Sequence, residues 1–211
     1  MTPTERRTRG PGAQHERRRR EIADAVLDVV AERGLPAVSL TAVAARAGVS
    51  PGRVQHYFPA KDRLIEAAFD RGNERSEARI AAKAGPGAGE GGPRRLLTVV
   101  LTELIPYDAP TRAHMRVRQW FTGLALADEA IAERMRADYA RLHERLAGLL
   151  RRDRVPEPGA EAVRLVALAE GLAYYVLIGV TPPADARAQV NAAIAAAYGE
   201  RPPRGTTGPG S

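Results

Sequence analysis

The chain of 211 residues contains no cysteine, which excludes disulfide bonds, thiol catalysis and cysteine-ligated metal sites. No apolar run approaches the length of about 18 residues that a membrane-spanning helix needs. The N-terminus is rich in arginine but lacks the apolar segment of a signal peptide. We therefore expect a cytoplasmic protein without membrane attachment.

Residues suited to catalysis are also few and scattered. The four histidines do not occur at the spacing of a metal motif such as His-Glu-x-x-His. The glycine-rich stretch 85–92 lacks the Gly-Lys-Ser/Thr ending of a phosphate-binding loop. The sequence therefore predicts neither an enzyme nor a metal site, and no cofactor.

Positive charge is unevenly distributed along the chain. The formal net charge is +7, and the first 63 residues hold 12 basic and 7 acidic residues. Only two of the 32 basic residues are lysines, a bias that a GC-rich genome explains. Genome composition does not explain the excess at one end, which is typical of a surface that binds nucleic acid.

Residues 38–63, VSLTAVAARAGVSPGRVQHYFPAKDR, predict two short helices joined by a tight turn. Ser39 and Ser50 are suited to cap the two helices, and Pro51 fits the first position of the second helix. Gly48 tolerates the left-handed conformation that ends the first helix. This pattern indicates a helix-turn-helix, which places its second helix in the DNA major groove. An ordinary pair of short core helices is the alternative.

Helical periodicity continues through the chain and no strand pattern is visible, so we expect an all-α protein. Glycine and proline separate the segments. The pattern predicts one helix before the helix-turn-helix, from Gln14 to the residues before Gly34, and a long connecting helix after it. Further helices are expected at 93–106, 110–127, 128–153, 160–180 and 184–199. The run Arg17–Arg20 is compatible with phosphate contacts and equally with a solvated helix start.

Three motifs between Arg18 and Phe69 resemble the DNA-binding domain of TetR-type transcriptional regulators. They are Ala31-Glu32-Arg33-Gly34, Val43-Ala44-Ala45-Arg46-Ala47-Gly48-Val49-Ser50 and Gly52-Arg53-Val54-Gln55-His56-Tyr57-Phe58-Pro59-Ala60-Lys61. The resemblance implies an all-α homodimer with an N-terminal three-helix DNA-binding domain. It also implies a C-terminal helical bundle for ligand binding and dimerisation.

We accordingly expect a disordered basic arm over 1–13 and a helix-turn-helix domain over 14–62. A ligand-binding and dimerisation domain should cover 63–199, followed by a disordered tail over 200–211. In such regulators a small ligand typically weakens operator binding, so most act as repressors. The alternatives are a regulator without a small-molecule ligand and a non-specific or architectural DNA-binding protein.

Carried over position by position, the resemblance assigns operator contacts to eight residues. These are Thr41, Ser50, Gly52, Arg53, Gln55, His56, Tyr57 and Lys61. Arginine favours guanine edges and glutamine favours adenine, whereas hydroxyl and amino groups suit phosphates. Two positions depart from the common pattern. Thr41 stands where an arginine is common, and Pro51 stands where many relatives carry a polar or basic residue.

Aromatic residues make up only 5% of the chain and most of them lie beyond the connecting helix. Aromatic, methionine and polar side chains together suit a small-molecule pocket, although any single residue of this kind is more often part of an ordinary core. The candidate pocket residues are Tyr107, His114, Met115, Arg118, Trp120, Phe121, Leu124, Met135 and Tyr174. We expect Trp120 and Phe121 to line the middle of the bundle.

Small and apolar residues repeat at helical spacing in the last two predicted helices. Such stripes allow close helix packing, so they predict a four-helix dimer interface, or alternatively internal packing in a monomer. The candidate interface residues are Val163, Ala167, Gly171, Tyr174, Val190, Ala193, Ile194 and Ala197. A homodimer is favoured because a helix-turn-helix protein usually reads two half-sites.

Overall fold

The computed structural model describes residues 11–85 and 92–200, and within these ranges the chain forms nine α-helices and no strand. The helices are α1 (Pro11–Arg33), α2 (Leu40–Ala47), α3 (Pro51–Tyr57), α4 (Lys61–Ala84), α5 (Gly92–Glu103), α6 (Ala109–Ala125), α7 (Glu129–Arg152), α8 (Pro158–Leu177) and α9 (Pro183–Ala197). A short 3₁₀ turn, Leu35–Ala37, follows α1. The all-α prediction is confirmed, and observed helix ends lie close to those read from the sequence.

Side-chain caps fix the ends of the two short helices. The Ser39 hydroxyl accepts a hydrogen bond from the Ala42 amide at 3.1 Å, and the Ser50 hydroxyl accepts one from the Arg53 amide at 3.2 Å. Gly48 ends α2 in the left-handed conformation, with φ 64° and ψ 36°. Three residues separate the two helices, so they are joined by a tight turn, as the sequence predicted.

The first core of the molecule joins α1, α2, α3 and the first half of α4. It also takes in three residues of α6 and one of α7, so it extends past residue 62, where the sequence analysis ended the DNA-binding domain. Those four residues are Ala113, Val117, Phe121 and Met135. Helix α3, which we call the reading helix because a helix-turn-helix places it in the major groove, therefore shares one packed interior with α6.

A second core joins α5, α7, α8 and α9. Met115 of α6 belongs to this second core, whereas Phe121 of the same helix belongs to the first. The start of α6 is fixed by a capping box in which Asp108 and Thr111 bond each other's backbone amides. Helix α6 is thus a firmly anchored element that both cores share.

Two smaller differences from the predictions concern the chain ends. Helix α1 begins at Pro11, so residues 11–13 are helical and not part of a disordered arm. Residues 1–10 and 201–211, to which the rest of the predicted arm and tail belong, lie outside the described residues. No helix in the described part of the chain is long and apolar enough to cross a membrane.

Candidate nucleic-acid interface and ligand cavity

Helix α3 turns one face inward and the opposite face to solvent. Val54 and Phe58 are fully buried in the first core and fix the rotation of the helix. Arg53, Gln55 and His56 are exposed on the other side. The arrangement provides a short polar face that is rigidly held and free to enter a groove.

The remaining predicted DNA contacts surround this face. Ser50 and Gly52 are exposed at the start of α3, Thr41 at the start of α2 and Lys61 at the start of α4. Among the described residues, a methyl group added to Gly52 would meet nothing within 4 Å beyond its chain neighbours and the adjacent backbone of α3. The space in front of Gly52 is therefore open to an incoming phosphate.

Tyr57 is only half-exposed because aromatic neighbours hold its ring. The centroid of the His15 ring, from α1, lies 4.7 Å from that of Tyr57, and the His56 ring meets Tyr57 edge-on at 5.4 Å. Arg19 of α1 lies over the Phe58 ring at 4.9 Å. The sequence places α1 as a brace for the helix-turn-helix, but these individual contacts join residues roughly forty positions apart and have no local signal.

Ion pairs join α1 to α2, and further ion pairs form between residues of α1 itself. Arg46 bonds Asp28 at 3.1 Å and Glu32 at 2.8 Å, which fastens the supporting helix α2 to α1. Arg17 and Arg18 both pair with Glu21 one turn further along α1. These two arginines therefore have partners within the chain, which favours the solvated helix start for this part of the arginine run.

A cavity of about 690 Å³ lies between α4, α5, α6 and α7. Aliphatic side chains form one wall, namely Ile80, Val100, Leu104 and Leu142. Its polar lining includes Asn73, His114 and Arg118, and the last two are buried. The size and the mixture of apolar and polar groups are those of a small-molecule site.

Charged residues of two facing helices form the rim of this cavity. Acidic side chains come mainly from α4 and arginines from α7, each at a spacing that keeps them on one helical face. They are Asp70, Glu74 and Glu77 on α4, and Arg134, Asp138, Arg141 and Arg145 on α7. Sequence reasoning missed them, although their i, i+4, i+7 repeat is a signal that could have indicated facing helices.

His114 is wedged between α6 and α4. A Cβ atom added to Gly72 would lie 2.3 Å from His114 Cδ2, so only glycine permits this approach. The ring nitrogen Nε2 of His114 forms a hydrogen bond of 3.0 Å with the Asn73 side-chain oxygen. Burial, assisted by the charges of Arg118 and Arg79, lowers the pKa of His114 to about 3. The imidazole is therefore neutral at physiological pH.

A polar cluster, buried at Arg118 and partly buried at Glu170 and Tyr139, connects α6, α7 and α8. Arg118 donates from Nε to Glu170 Oε1 at 3.0 Å and from Nη2 to the same oxygen. The Tyr139 hydroxyl donates to Glu170 Oε2 at 2.5 Å. Burial raises the pKa of Tyr139 to about 12. Glu170 and Tyr139 also border a second depression of about 450 Å³ between α7 and α8.

Only two of the nine predicted pocket residues, His114 and Arg118, border the larger cavity. Met115, Phe121 and Met135 are buried in the two cores, and Leu124 packs against the first of them. The expectation that Trp120 lines the middle of the bundle is wrong, because its side chain points outward and is 41% exposed.

Two further candidates also lie away from this cavity. Tyr174 is 48% exposed on the outer face of α8. The Tyr107 hydroxyl accepts a hydrogen bond from Lys83 at 2.7 Å and donates to Glu103 at 3.3 Å, within a separate ion cluster. Periodicity could not distinguish these positions, because it gives the face of a helix but not which neighbour covers it.

The two predicted dimer stripes have different surroundings. On α8, Val163, Ala167, Gly171 and Tyr174 are exposed along one face. On α9, Val190 and Ile194 are fully buried in the second core, and Ala193 and Ala197 pack against it. The α9 stripe is therefore an internal face, which corrects the prediction that it meets a partner. The helix leaves Ala188, Ala192 and Ala196 exposed instead.

Comparison with known proteins agrees with this geometry. Residues 22–68 match the family of bacterial regulatory proteins of the tetR type, and residues 93–199 match the C-terminal domain of BetI-type transcriptional repressors. The HTH-type transcriptional regulator PksA of Bacillus subtilis is 32% identical over 174 residues, which cover 78% of this chain and 80% of PksA.

Solved structures share the architecture. A transcriptional regulator from Rhodococcus sp. Rha1 superposes with a TM-score of 0.73 at 29% identity, covering 86% of this chain and 96% of that one. A transcriptional regulator from Saccharomonospora viridis, solved in complex with choline, has a TM-score of 0.71 at 23% identity. The match covers 84% of this chain and 95% of that one. With both of its parts matched and its reading helix exposed, the chain belongs to the TetR family of transcriptional regulators.

Proposed function

We propose that this regulator is a homodimeric repressor, without enzymatic activity, that binds a palindromic operator through α3. A small molecule in the cavity between α4, α5, α6 and α7 releases it from DNA. One observation carries the proposal: α6 borders the cavity through His114 and Arg118 and, along the same helix, packs into the core of the DNA-binding helices, most deeply through Phe121.

The DNA-binding part of the proposal rests on the outer face of α3. Arg53 and Gln55 are suited to read base edges, and His56 stands beside them. Ser50, Tyr57 and Lys61 are placed to bond phosphates on either side of the groove, and Thr41 extends this set to the start of α2. Gly52 lets the backbone come close to the DNA without a steric barrier.

Dimerisation is supported by a large exposed apolar surface at the C-terminal end of the molecule. Five large apolar side chains are exposed along α8 and the segment after it, at 47–62% of their surface: Val163, Tyr174, Tyr175, Ile178 and Val180. Soluble monomers rarely leave such residues clustered in water. We infer that Ala167 and Gly171 allow the two α8 helices to approach, with the exposed alanines of α9 beside them.

Release of DNA follows from the shared interior. The Phe121 ring stacks on Phe69 of α4, and α4 begins directly after the reading helix. A ligand that moves α6 must move α4 as well, because a close-packed interior does not yield continuously. The two reading helices of a dimer would then lose the spacing that an operator requires.

Selection from a library of random-sequence DNA duplexes tests the proposal. The purified chain should enrich an inverted repeat, and its affinity for that repeat should exceed its affinity for random DNA by about 10³-fold or more at physiological salt. Equal binding to both would instead identify a non-specific or architectural DNA-binding protein. A selected site without inverted symmetry would contradict the dimeric part of the proposal.

A further inference from the structure

We propose that the cavity takes an amphipathic carboxylate with an aliphatic chain, whose acidic group bonds Arg118 in place of Glu170. The inference rests on the proposed function, in which this cavity is the effector site. Its ligand chemistry follows from the charge of the buried part, the pairing of the rim and the composition of the walls.

Among the described residues, the buried lining of the cavity carries one formal charge, that of the Arg118 guanidinium, because the neighbouring His114 is neutral. Arg79 also acts on the His114 imidazole, but it does not border the cavity and is paired with Glu103. The carboxylate partner of Arg118, Glu170, borders the depression between α7 and α8 and not this cavity. A ligand in the cavity therefore meets the guanidinium and no buried carboxylate of the described lining.

Arg118 is also bonded in a way that leaves room for another acceptor. Its Nε and Nη2 both donate to the same oxygen of Glu170, and Tyr139 occupies the second oxygen. The guanidinium therefore lacks the parallel two-oxygen pairing that arginine and carboxylate prefer. A free carboxylate in the cavity can provide that pairing.

The acidic residues of the rim do not reverse this preference. Each of the three acids that pair with an arginine has its charge at least partly balanced: Asp70 by Arg134, Glu74 by Arg71 and Asp138 by Arg141. The first two arginines are shared with a second carboxylate, Glu66 and Asp24 respectively. Glu77 and Arg145 carry opposite charges, and both are exposed to solvent, which screens them. The preference of the cavity for an anionic ligand is therefore decided by its buried residues and not by its rim.

The walls indicate the rest of the ligand. Ile80, Val100, Leu104 and Leu142 present branched aliphatic surface, and none of the described residues that border the cavity is Phe, Tyr or Trp. Quaternary ammonium groups are recognised by aromatic faces, so these walls do not suit such a cation. They suit an alkyl chain, whose burial contributes about 0.8 kcal/mol per methylene.

Exchange at Arg118 would also carry the signal to the proposed dimer surface. Once Arg118 turns to the ligand, Glu170 keeps only Tyr139, in the depression that Val163 and Ala167 also border. Both of these residues lie on the exposed face of α8. Ligand occupancy would thus change the charge and packing directly beneath the surface on which a second copy docks.

Three probes of equal chain length test the ligand class: octanoate, octan-1-ol and octyltrimethylammonium. Calorimetric titration of the full chain should give binding for octanoate at least about tenfold tighter than for the other two, as expected for one charge-assisted hydrogen-bond pair. Preference for the ammonium or the alcohol overturns the proposal, and so does the absence of binding by all three.

Two substitutions separate ligand recognition from a structural role of the buried pair. Arg118→Met should weaken octanoate binding about tenfold or more, because it removes the guanidinium. Glu170→Gln should tighten it, because the competing charge is removed while Arg118 remains. If both variants weaken binding equally, the pair is structural only and the proposal fails. Arg152→Met, exposed in the last turn of α7 and away from the residues that border the cavity, is the control and should bind octanoate as the parent does.

Folding of the variants is checked by circular dichroism. If Arg118→Met does not fold, the sign of the Glu170→Gln effect decides alone, since the two interpretations predict opposite changes. The DNA assay is read separately. Octanoate that binds with the expected preferences but leaves operator affinity unchanged would confirm the anion site and contradict the proposed effector role. If the ligand-free chain does not bind the operator, the proposed function is contradicted, but the proposed anion site is not.

Discussion

Phe69 of α4 and Phe121 of α6 stack with ring centroids 4.5 Å apart and an interplanar angle of 21°. Both rings are fully buried, and Arg134 of α7 lies within 6 Å of each. The pair joins the helix that leaves the DNA-binding domain to the helix that borders the cavity. A change at either helix therefore reaches the other through direct contact.

Phe121→Ala should lower the free energy of unfolding by about 3–5 kcal/mol, because it opens a cavity in the first core. The DNA-binding helices should unfold together with α6, since they share that core. Urea denaturation followed by circular dichroism measures both effects. The neighbouring Trp120→Ala is the control. Because Trp120 points outward, we expect a change within about 0.5 kcal/mol. A loss at Trp120 as large as that at Phe121 would contradict the described orientation of α6.

Two glycines of the helix-turn-helix should respond oppositely to alanine. Gly48→Ala should destabilise the fold by about 1–2 kcal/mol, because Gly48 has a left-handed conformation that alanine disfavours. Gly52→Ala should leave stability equal or higher, since Gly52 is helical and its surroundings are open. If DNA approaches at Gly52 as proposed, the same variant should weaken operator binding. Thermal melts and fluorescence anisotropy with labelled operator provide the two measurements.

Phosphate contacts and base contacts should be separable by their salt dependence. Tyr57→Phe and Lys61→Ala should weaken binding to all duplexes, and Lys61→Ala should reduce the slope of log K against log salt by about 0.9. Gln55→Ala should cost about 1–3 kcal/mol on the selected operator and much less on random DNA. Anisotropy titrations at several salt concentrations test both. Equal losses on both duplexes for all three variants would show that Gln55 does not read bases.

Stability should fall with acid because of His114. Its pKa is about 3 in the folded chain and 6.5 in the unfolded chain, so below pH 6.5 the unfolded state binds the extra proton. The contribution of the neutral His114 to the free energy of unfolding is complete above pH 6.5 and is lost progressively as the pH falls towards 3. Between pH 7.5 and pH 5 we expect a loss of about 2 kcal/mol. His114→Gln should remove this part of the pH dependence, as urea denaturation at the two pH values will show.

Ala167→Glu should convert the proposed dimer into a monomer. Ala167 is exposed on α8, so the added charge costs little in the single chain but would be buried unpaired between two copies. Sedimentation velocity measures the change in mass. Ala82→Glu, on the exposed side of α4, should leave the mass unchanged. An Ala167→Glu protein that sediments like its parent would remove this face from the proposed interface.

Local signals in the sequence were sufficient for the helices. Caps, glycine and proline act within a few residues, so Ser39, Gly48 and Ser50 marked the ends of α2 and α3 correctly. Val54 and Phe58 are four residues apart, which is the spacing of one helical face, and both are buried in the core. The exposed face of α3 followed from these two positions without any further information.

Contacts between distant segments required the folded chain. Periodicity marked Val190 and Ile194 as one apolar face of α9 but could not say whether that face met a partner or the chain's own core. Both Trp120 and Phe121 were expected to line the middle of the bundle, although adjacent residues of a helix point about 100° apart. The packing of α6 against α4 sends one ring inward and the other into solvent.

The sequence by itself determined that this chain is an all-α regulator whose second short helix presents Arg53, Gln55 and His56. Those features depend on hydrogen bonds and apolar spacing within single helices and turns. The tertiary structure alone decided where the cavity lies and that Arg118, Glu170 and Tyr139 meet. It also decided that α6 enters both cores, because such contacts depend on how whole helices pack and not on any local pattern.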